Sequence, residues 1–244
     1  MKLTMVTILM IISGFVLNST ITKQSIKDNG HYCNTIVVDT IRKVVYDTLP
    51  YQPSIGKEVK KLSKDENYAN DFSNLGFILN PNYAKKHKIP QRIVNIKAKK
   101  VEEYILRFGA VAVKEMHEYG IPASITLAQG LLESNVGESK LSVGNKNHFG
   151  IKCFSRNCKK GHCSNYTDDS HKDFFRKYDT DWESYRAHSL FLQKDRYKHL
   201  KKLGKNYKKW SHGLRKAGYA TDPKYGQKLI GIIEALNLNR FDNK

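Results

Sequence analysis

The chain has 244 residues, 40% hydrophobic and 27% charged, with a formal charge of +19. That length and apolar content support a real core and exclude a wholly disordered chain. The positive charge suits a polyanionic partner: nucleic acid, anionic lipid, or the acidic polymers and peptide carboxylates of a cell wall. A solvated helix face accounts equally well for any individual lysine.

Residues Leu3 to Leu17 are almost wholly apolar, with Lys2 before them and Asn18, Ser19 and Thr20 after. The run is short of the roughly 20 residues a membrane span needs. Residues 1–19 are therefore expected to be a cleaved signal peptide or an N-terminal anchor, which places the protein in the periplasm, cell envelope or extracellular space. Cys33 lies too far downstream to accept a lipid. In an oxidising compartment disulfides persist, and Cys153, Cys158 and Cys163 share the segment CFSRNCKKGHC with His162. A local disulfide, free thiols and a Cys3His zinc site are all open there.

Residues 20–94 read as a linker or accessory segment. The stretch Asn34 to Tyr51 has β-branched runs consistent with a strand or two, and polar, Asn-rich sequence follows. The catalytic domain is expected over 95–244. Val101, Tyr104, Ile105, Phe108, Ala112 and Met116 form one apolar stripe at helical spacing. Gly120 stops that helix, Pro122 occupies a first-turn position, and a second helix runs through SITLAQGLLES. From Gly137 to about Phe175 helical period is lost, and loops with a β-hairpin are expected. Thr180 to Glu183 has the spacing of a capping box, opening a helix that directs Trp182, Tyr185 and Leu192 inward. The last helix starts at Thr221-Asp222-Pro223 and aligns Tyr225, Leu229, Ile232, Ile233 and Leu236 on one face. Trp210 is assigned to the core. The sum is a mostly helical α+β domain with a small β lobe inserted in the middle.

Glu133 closes an otherwise apolar helix. A carboxylate beside Ile125, Leu131 and Leu132 is partly desolvated, which raises its pKa. A general acid for glycoside cleavage needs that property, since it must hold a proton near neutral pH. A helix-end carboxylate pointing to solvent is the bland alternative.

The segment ASITLAQGLLESNVGESKLSVGNKNHFGIK resembles the signature of the bacterial β-N-acetylglucosaminidases of glycoside hydrolase family 73, the glucosaminidase domain of many autolysins. FRKYDTDWESYRAHSLFL and GLRKAGYATDPKYGQKLIGIIE resemble that family's closing half, so the likeness covers about residues 95–240. It implies a lysozyme-like fold with a glycan groove between a helical and a β lobe. It also implies hydrolysis of the β-1,4 bond after N-acetylglucosamine in peptidoglycan or a related glycan, with Glu133 as the acid and no cofactor or metal.

A second carboxylate, as base or nucleophile, is placed by the family in the β lobe or replaced by the substrate's N-acetyl group. Here the candidates are Asp169 and Asp168, with Asp173 behind; a turn or helix cap is the alternative for each. The glutamate that many relatives carry on a longer hairpin has no clear match. Tyr219 matches a family tyrosine near the reaction centre and is expected to steady the N-acetyl group or a developing charge. Tyr225, on the apolar stripe, is expected to pack, with a possible sugar contact. Phe149 is expected to floor the groove, and Asn147 and His148 to lie near substrate, His148 being more simply structural. Rival readings are a muramidase or lytic transglycosylase on a similar fold, a non-catalytic wall-binding module, and a nucleic-acid binder suggested by charge alone. No nucleic-acid partner is expected, membrane anchoring through residues 1–19 is open, and the sequence does not specify an oligomer.

Overall fold

The computed structural model describes residues 75–80, 82–153, 161–165 and 174–244. The N-terminal apolar run, the β-branched stretch 34–51, Cys33, Cys158, Asp168, Asp169 and Asp173 lie outside the described residues. Among those described, no helix is long and apolar enough to cross a membrane.

Two short helices, α1 (Gly76–Leu79) and α2 (Tyr83–Lys86), precede the long helix α3 (Gln91–Tyr119). Leu75, Phe77 and Ile78 are buried in the same core as the residues that follow. Helix α3 begins four residues before the expected Asn95, and its predicted stripe from Val101 to Met116 is buried throughout. It ends where Gly120 adopts φ 72°, its N–H reaching the Met116 carbonyl; glycine takes this left-handed cap without a Cβ penalty.

Pro122 stands just ahead of α4 (Ala123–Glu133), rather than in its first turn, and every residue from Ala123 to Leu131 is buried. A helix buried on every side belongs at the centre of a domain. Accordingly α4 packs against α3, against α8 (Tyr207–Lys216) and α9 (Tyr225–Ala235), and against the C-terminal 3-10 turn Leu238–Asn243. Its N-terminus is closed from that turn: Ser124 N–H and Oγ donate to the two Asp242 carboxylate oxygens at 2.8 and 2.7 Å.

After α5 (Lys140–Asn145) comes the small lobe. Strand β1 (Cys163–Asn165) pairs antiparallel with β2 (Phe174–Arg176), in the register Cys163 to Arg176 and Asn165 to Phe174, and Lys152 bridges to Phe175. Helix α6 (Asp181–Leu192) opens on the expected cap, Thr180 Oγ1 accepting the Glu183 N–H at 3.2 Å. Glu183 reaches back to the Asp179 N–H, one residue earlier than a regular capping box. Trp182 departs from expectation: it is 37% exposed, its ring 5.1 Å from the Arg186 guanidinium and 5.8 Å from the Lys114 amine. Cation–π contact holds it at the surface where burial was expected. Trp210 is fully buried, and α7 (Asp195–Lys198) with the turn His199–Leu203 leads into α8. The last helix starts at Tyr225, four residues after Thr221, with the predicted face turned inward.

Candidate active site

Glu133 is the last residue of α4, and the chain leaves it through consecutive left-handed residues: Asn135, Val136 and Gly137 at φ 49°, 63° and 78°. A β-branched residue at positive φ is strained, and the turn is held from several sides. Ser134 Oγ accepts the Gly137 N–H at 2.7 Å, and Lys97 Nζ, buried in α3, donates to Asn135 Oδ1 at 2.9 Å. Burial and the neighbouring Lys100 push the Lys97 amine down to about 8, Glu138 opposing. The turn bends the chain away so that α4 ends at a carboxylate.

That carboxylate keeps a solvent-open face while protein atoms crowd its other sides. The crowding raises its pKa by desolvation, and the hydrogen bond from Tyr225 opposes the rise. The open face admits a substrate; the crowded side favours the protonated acid. Tyr225 Oη donates to Glu133 Oε1 at 2.8 Å and accepts from Gln129 Nε2 at 3.0 Å. Gln129 Oε1 in turn faces His188 Nε2 at 3.1 Å. Because an amide oxygen only accepts, His188 donates from Nε2. Complete burial pushes its pKa down to about 3, which keeps the ring neutral near pH 7. Every donor in the series His188–Gln129–Tyr225–Glu133 therefore points toward the Glu133 carboxylate.

Tyr219 lies beside this series. Its ring stacks on Tyr225 at 5.7 Å and meets His188 edge-on at 6.3 Å. Burial, then the negative charge of Glu133, raise its phenol well above the ordinary value. The tyrosine in hydrogen-bond contact with Glu133 is thus Tyr225, where packing was expected, and Tyr219 flanks it.

Two expected substrate contacts, Asn147 and Phe149, are buried in the structure. Asn147 is 1% exposed and its amide is committed to the loop, donating to Ile151 O and Arg176 O at 3.0 Å and accepting from Ile151 N at 3.0 Å. Phe149 is 5% exposed and stacks on His188 at 4.0 Å, so it packs against the residue that begins the Gln129 series. His148 is structural. It lies 3.1 Å from the Tyr104 hydroxyl and 3.1 Å from Asp181, whose other oxygen pairs with Arg107. Burial opposes ionisation of Asp181, but the bond from His148 and the charges of His148 and Arg107 hold it below the usual carboxylate range.

Sequence reasoning missed Gln129 and His188. The available signal was a polar residue four before Glu133 on the same helix face, and a histidine within an apolar run. A hollow of about 430 Å³ between β2 and α6 is lined by His162, Arg176, Tyr178, Glu183 and Arg186 among others, and does not include Glu133.

A mostly helical domain with one short antiparallel hairpin and a partly desolvated carboxylate at a helix end fits a lysozyme-like α+β fold. The family described as mannosyl-glycoprotein endo-beta-N-acetylglucosaminidase matches residues 109–238, and the chain belongs to this glucosaminidase family. It is 38% identical over 138 residues to exo-glucosaminidase LytG of Bacillus subtilis, an alignment covering 51% of this chain and 48% of that protein. It is 30% identical over 149 residues to peptidoglycan hydrolase FlgJ of Vibrio cholerae, covering 55% and 44%. The chain thus spans about half the length of the curated relatives it matches. The solved catalytic domain of the autolysin Auto from Listeria monocytogenes superposes with a TM-score of 0.51 at 28% identity, over 59% of this chain and 88% of that one.

Proposed function

We propose that this chain is an exported hydrolase that cuts the β-1,4 bond after N-acetylglucosamine in peptidoglycan glycan strands, with Glu133 as general acid. The observation that carries the reading is the Glu133 carboxyl: open to solvent on one side, desolvated on the others, and held at Oε1 by Tyr225. With Oε1 anchored as an acceptor, Oε2 carries the proton and gives it to the leaving glycosidic oxygen. The matched family and the names of the relatives support the substrate class, and the +19 charge suits an acidic wall. Asp169, and less so Asp168, supply the second carboxylate in this reading; the substrate's N-acetyl group is the other source. Residues 1–19 act as the export signal or anchor.

The test is digestion of purified peptidoglycan by wild type and by Glu133→Gln, with mass analysis of borohydride-reduced products. Ends in reduced N-acetylglucosamine from wild type alone support the proposal. Ends in N-acetylmuramic acid or its anhydro form overturn the bond assigned, and full activity of a folded Glu133→Gln overturns the acid. Loss of activity in Asp169→Asn but not Asp168→Asn assigns the second carboxylate, and loss in neither assigns substrate assistance.

A further inference from the structure

A second group of reactive side chains converges in the β lobe. Cys153 Sγ, His162 Nδ1 and Cys163 Sγ lie within 4.8 Å of one another, each residue half-buried. His162 Nδ1 is 3.5 Å from Cys163 Sγ and 4.0 Å from Cys153 Sγ. A tetrahedral zinc ion with bonds of about 2.3 Å to sulfur and about 2.0–2.1 Å to nitrogen sets adjacent sulfur and nitrogen ligands about 3.6 Å apart. The Cys163 separation matches that value, the Cys153 separation is longer, and the two sulfurs, bonded to each other here, must part to hold an ion. The backbone brings the donors together: Cys153 N–H donates to Phe174 O at 2.8 Å, Cys163 pairs with Arg176 across the hairpin, and Lys177 N–H donates to His162 O at 3.0 Å. Cys153 and Cys163 also form a disulfide, with Cα atoms 6.3 Å apart. The same pair is therefore open to two mutually exclusive cross-links.

We propose that Cys153, His162 and Cys163 form a zinc-class metal site when the Cys153–Cys163 disulfide is reduced. A dithiol reductant delivers two electrons and two protons by thiol–disulfide exchange, leaving two thiols here and its own disulfide as product. The entering divalent ion displaces both thiol protons, and two thiolates and the neutral imidazole donate to it. Water or a further donor completes the tetrahedron. Thiolate and imidazole ligands select zinc over magnesium or calcium, which prefer oxygen. Strand β1 begins at Cys163 and leads in sequence to Asp168 and Asp169, so either cross-link tethers the start of the strand that precedes these carboxylates. The metal site itself does not depend on the role given to Glu133.

The test uses the full chain, either oxidised or reduced with dithiothreitol and desalted without oxygen, titrated with Co²⁺ and then competed with Zn²⁺. Reduced wild type is expected to bind about one equivalent, with thiolate-to-cobalt charge transfer and tetrahedral d–d bands, and the oxidised chain to show neither. His162→Ala, which leaves the disulfide pair intact, weakens binding by at least on the order of 10- to 100-fold; Cys163→Ser removes the charge-transfer spectrum. Circular dichroism of each variant confirms folding. Absence of the spectrum in reduced wild type overturns the site. So does equal binding by the oxidised chain. Undiminished binding by His162→Ala, with loss in Cys158→Ser, overturns the ligand set.

Discussion

Tyr225 donates its phenolic hydrogen to Glu133 Oε1 at 2.8 Å while accepting the Gln129 amide at 3.0 Å. The bond stabilises the ionised carboxylate and so opposes the desolvation that raises the Glu133 pKa. Tyr225→Phe removes the opposing effect and leaves the buried Gln129 Nε2 without its acceptor. The upper limb of the pH–kcat profile is expected to move to higher pH. A lost buried partner of about 1–3 kcal/mol and a loosened acid are expected to lower kcat on the order of 10-fold. An unmoved pH limb would remove Tyr225 from the acid's electrostatics.

Glu133→Gln separates catalysis from stability. Loss of the general acid is expected to reduce kcat on the order of 10²–10⁴-fold, read by release of soluble glycan. The native state binds the Glu133 proton more tightly than the unfolded chain does. The carboxyl's contribution is therefore fully favourable below its unfolded pKa and is lost as pH rises through the raised folded value. At neutral pH the amide variant is expected to melt at or above the wild-type temperature, and the difference should close below about pH 4. A Tm well under wild type at pH 7 would count against a desolvated Glu133.

Much of this fold is written locally in the sequence. The stripe from Val101 to Met116, the stop at Gly120, the Thr180 cap and the inward face of the last helix follow from periodicity and capping chemistry, and all are observed. So is the place of Glu133 at the end of a helix buried almost throughout. What escaped is tertiary. Gln129 and Glu133 meet Tyr225 across 96 and 92 residues, and Ser124 meets Asp242 across 118. Periodicity reports which face is buried, not which polar atoms meet there. The same gap explains Asn147 and Phe149: position near a motif suggested substrate contact, whereas hydrogen bonds and ring stacking commit both to the scaffold.

Gly130 shows where packing outweighs propensity. A Cβ there would stand 2.6 Å from the Tyr104 hydroxyl and 3.0 Å from that of Tyr185. Those hydroxyls are bonded to each other at 2.9 Å, and Tyr104 also meets His148. Helix propensity alone favours Gly130→Ala by about 1 kcal/mol. The displaced hydroxyls should reverse that sign, for a net loss of about 1–3 kcal/mol typical of overpacking. Urea denaturation reads it; a stabilised variant would show that the tyrosine pair can yield.

Arg186 ties α6 to α3. Its Nε lies 3.0 and 3.1 Å from the two oxygens of Glu115, which is fully buried, and its terminal nitrogens reach Glu118. Arg186→Met strands the buried carboxylate, at a cost of about 3–5 kcal/mol. Removing both members in Glu115→Leu/Arg186→Met is expected to recover most of it, because no buried charge remains unpaired. A double variant as unstable as the single would place the stabilisation in packing of the arginine stem instead.

Asp242 lies beyond the matched family segment, yet it closes the N-terminus of the helix that ends at Glu133. Its carboxylate accepts from Ser124 N–H and Oγ as a cap would, supplied from the far end of the chain. Asp242→Ala leaves two buried donors without acceptors and is expected to cost about 1–2 kcal/mol, seen as a lower urea midpoint. Asp242→Asn keeps an acceptor for the Ser124 N–H, and its amide can donate to the hydroxyl. It also removes a charge whose burial raises the aspartate pKa against the pull of those Ser124 bonds. The asparagine variant should therefore fall near wild type at pH 7. If it falls as far as alanine, the helix N-terminus needs the negative charge itself, and the macrodipole rather than the hydrogen bonds makes the larger contribution there.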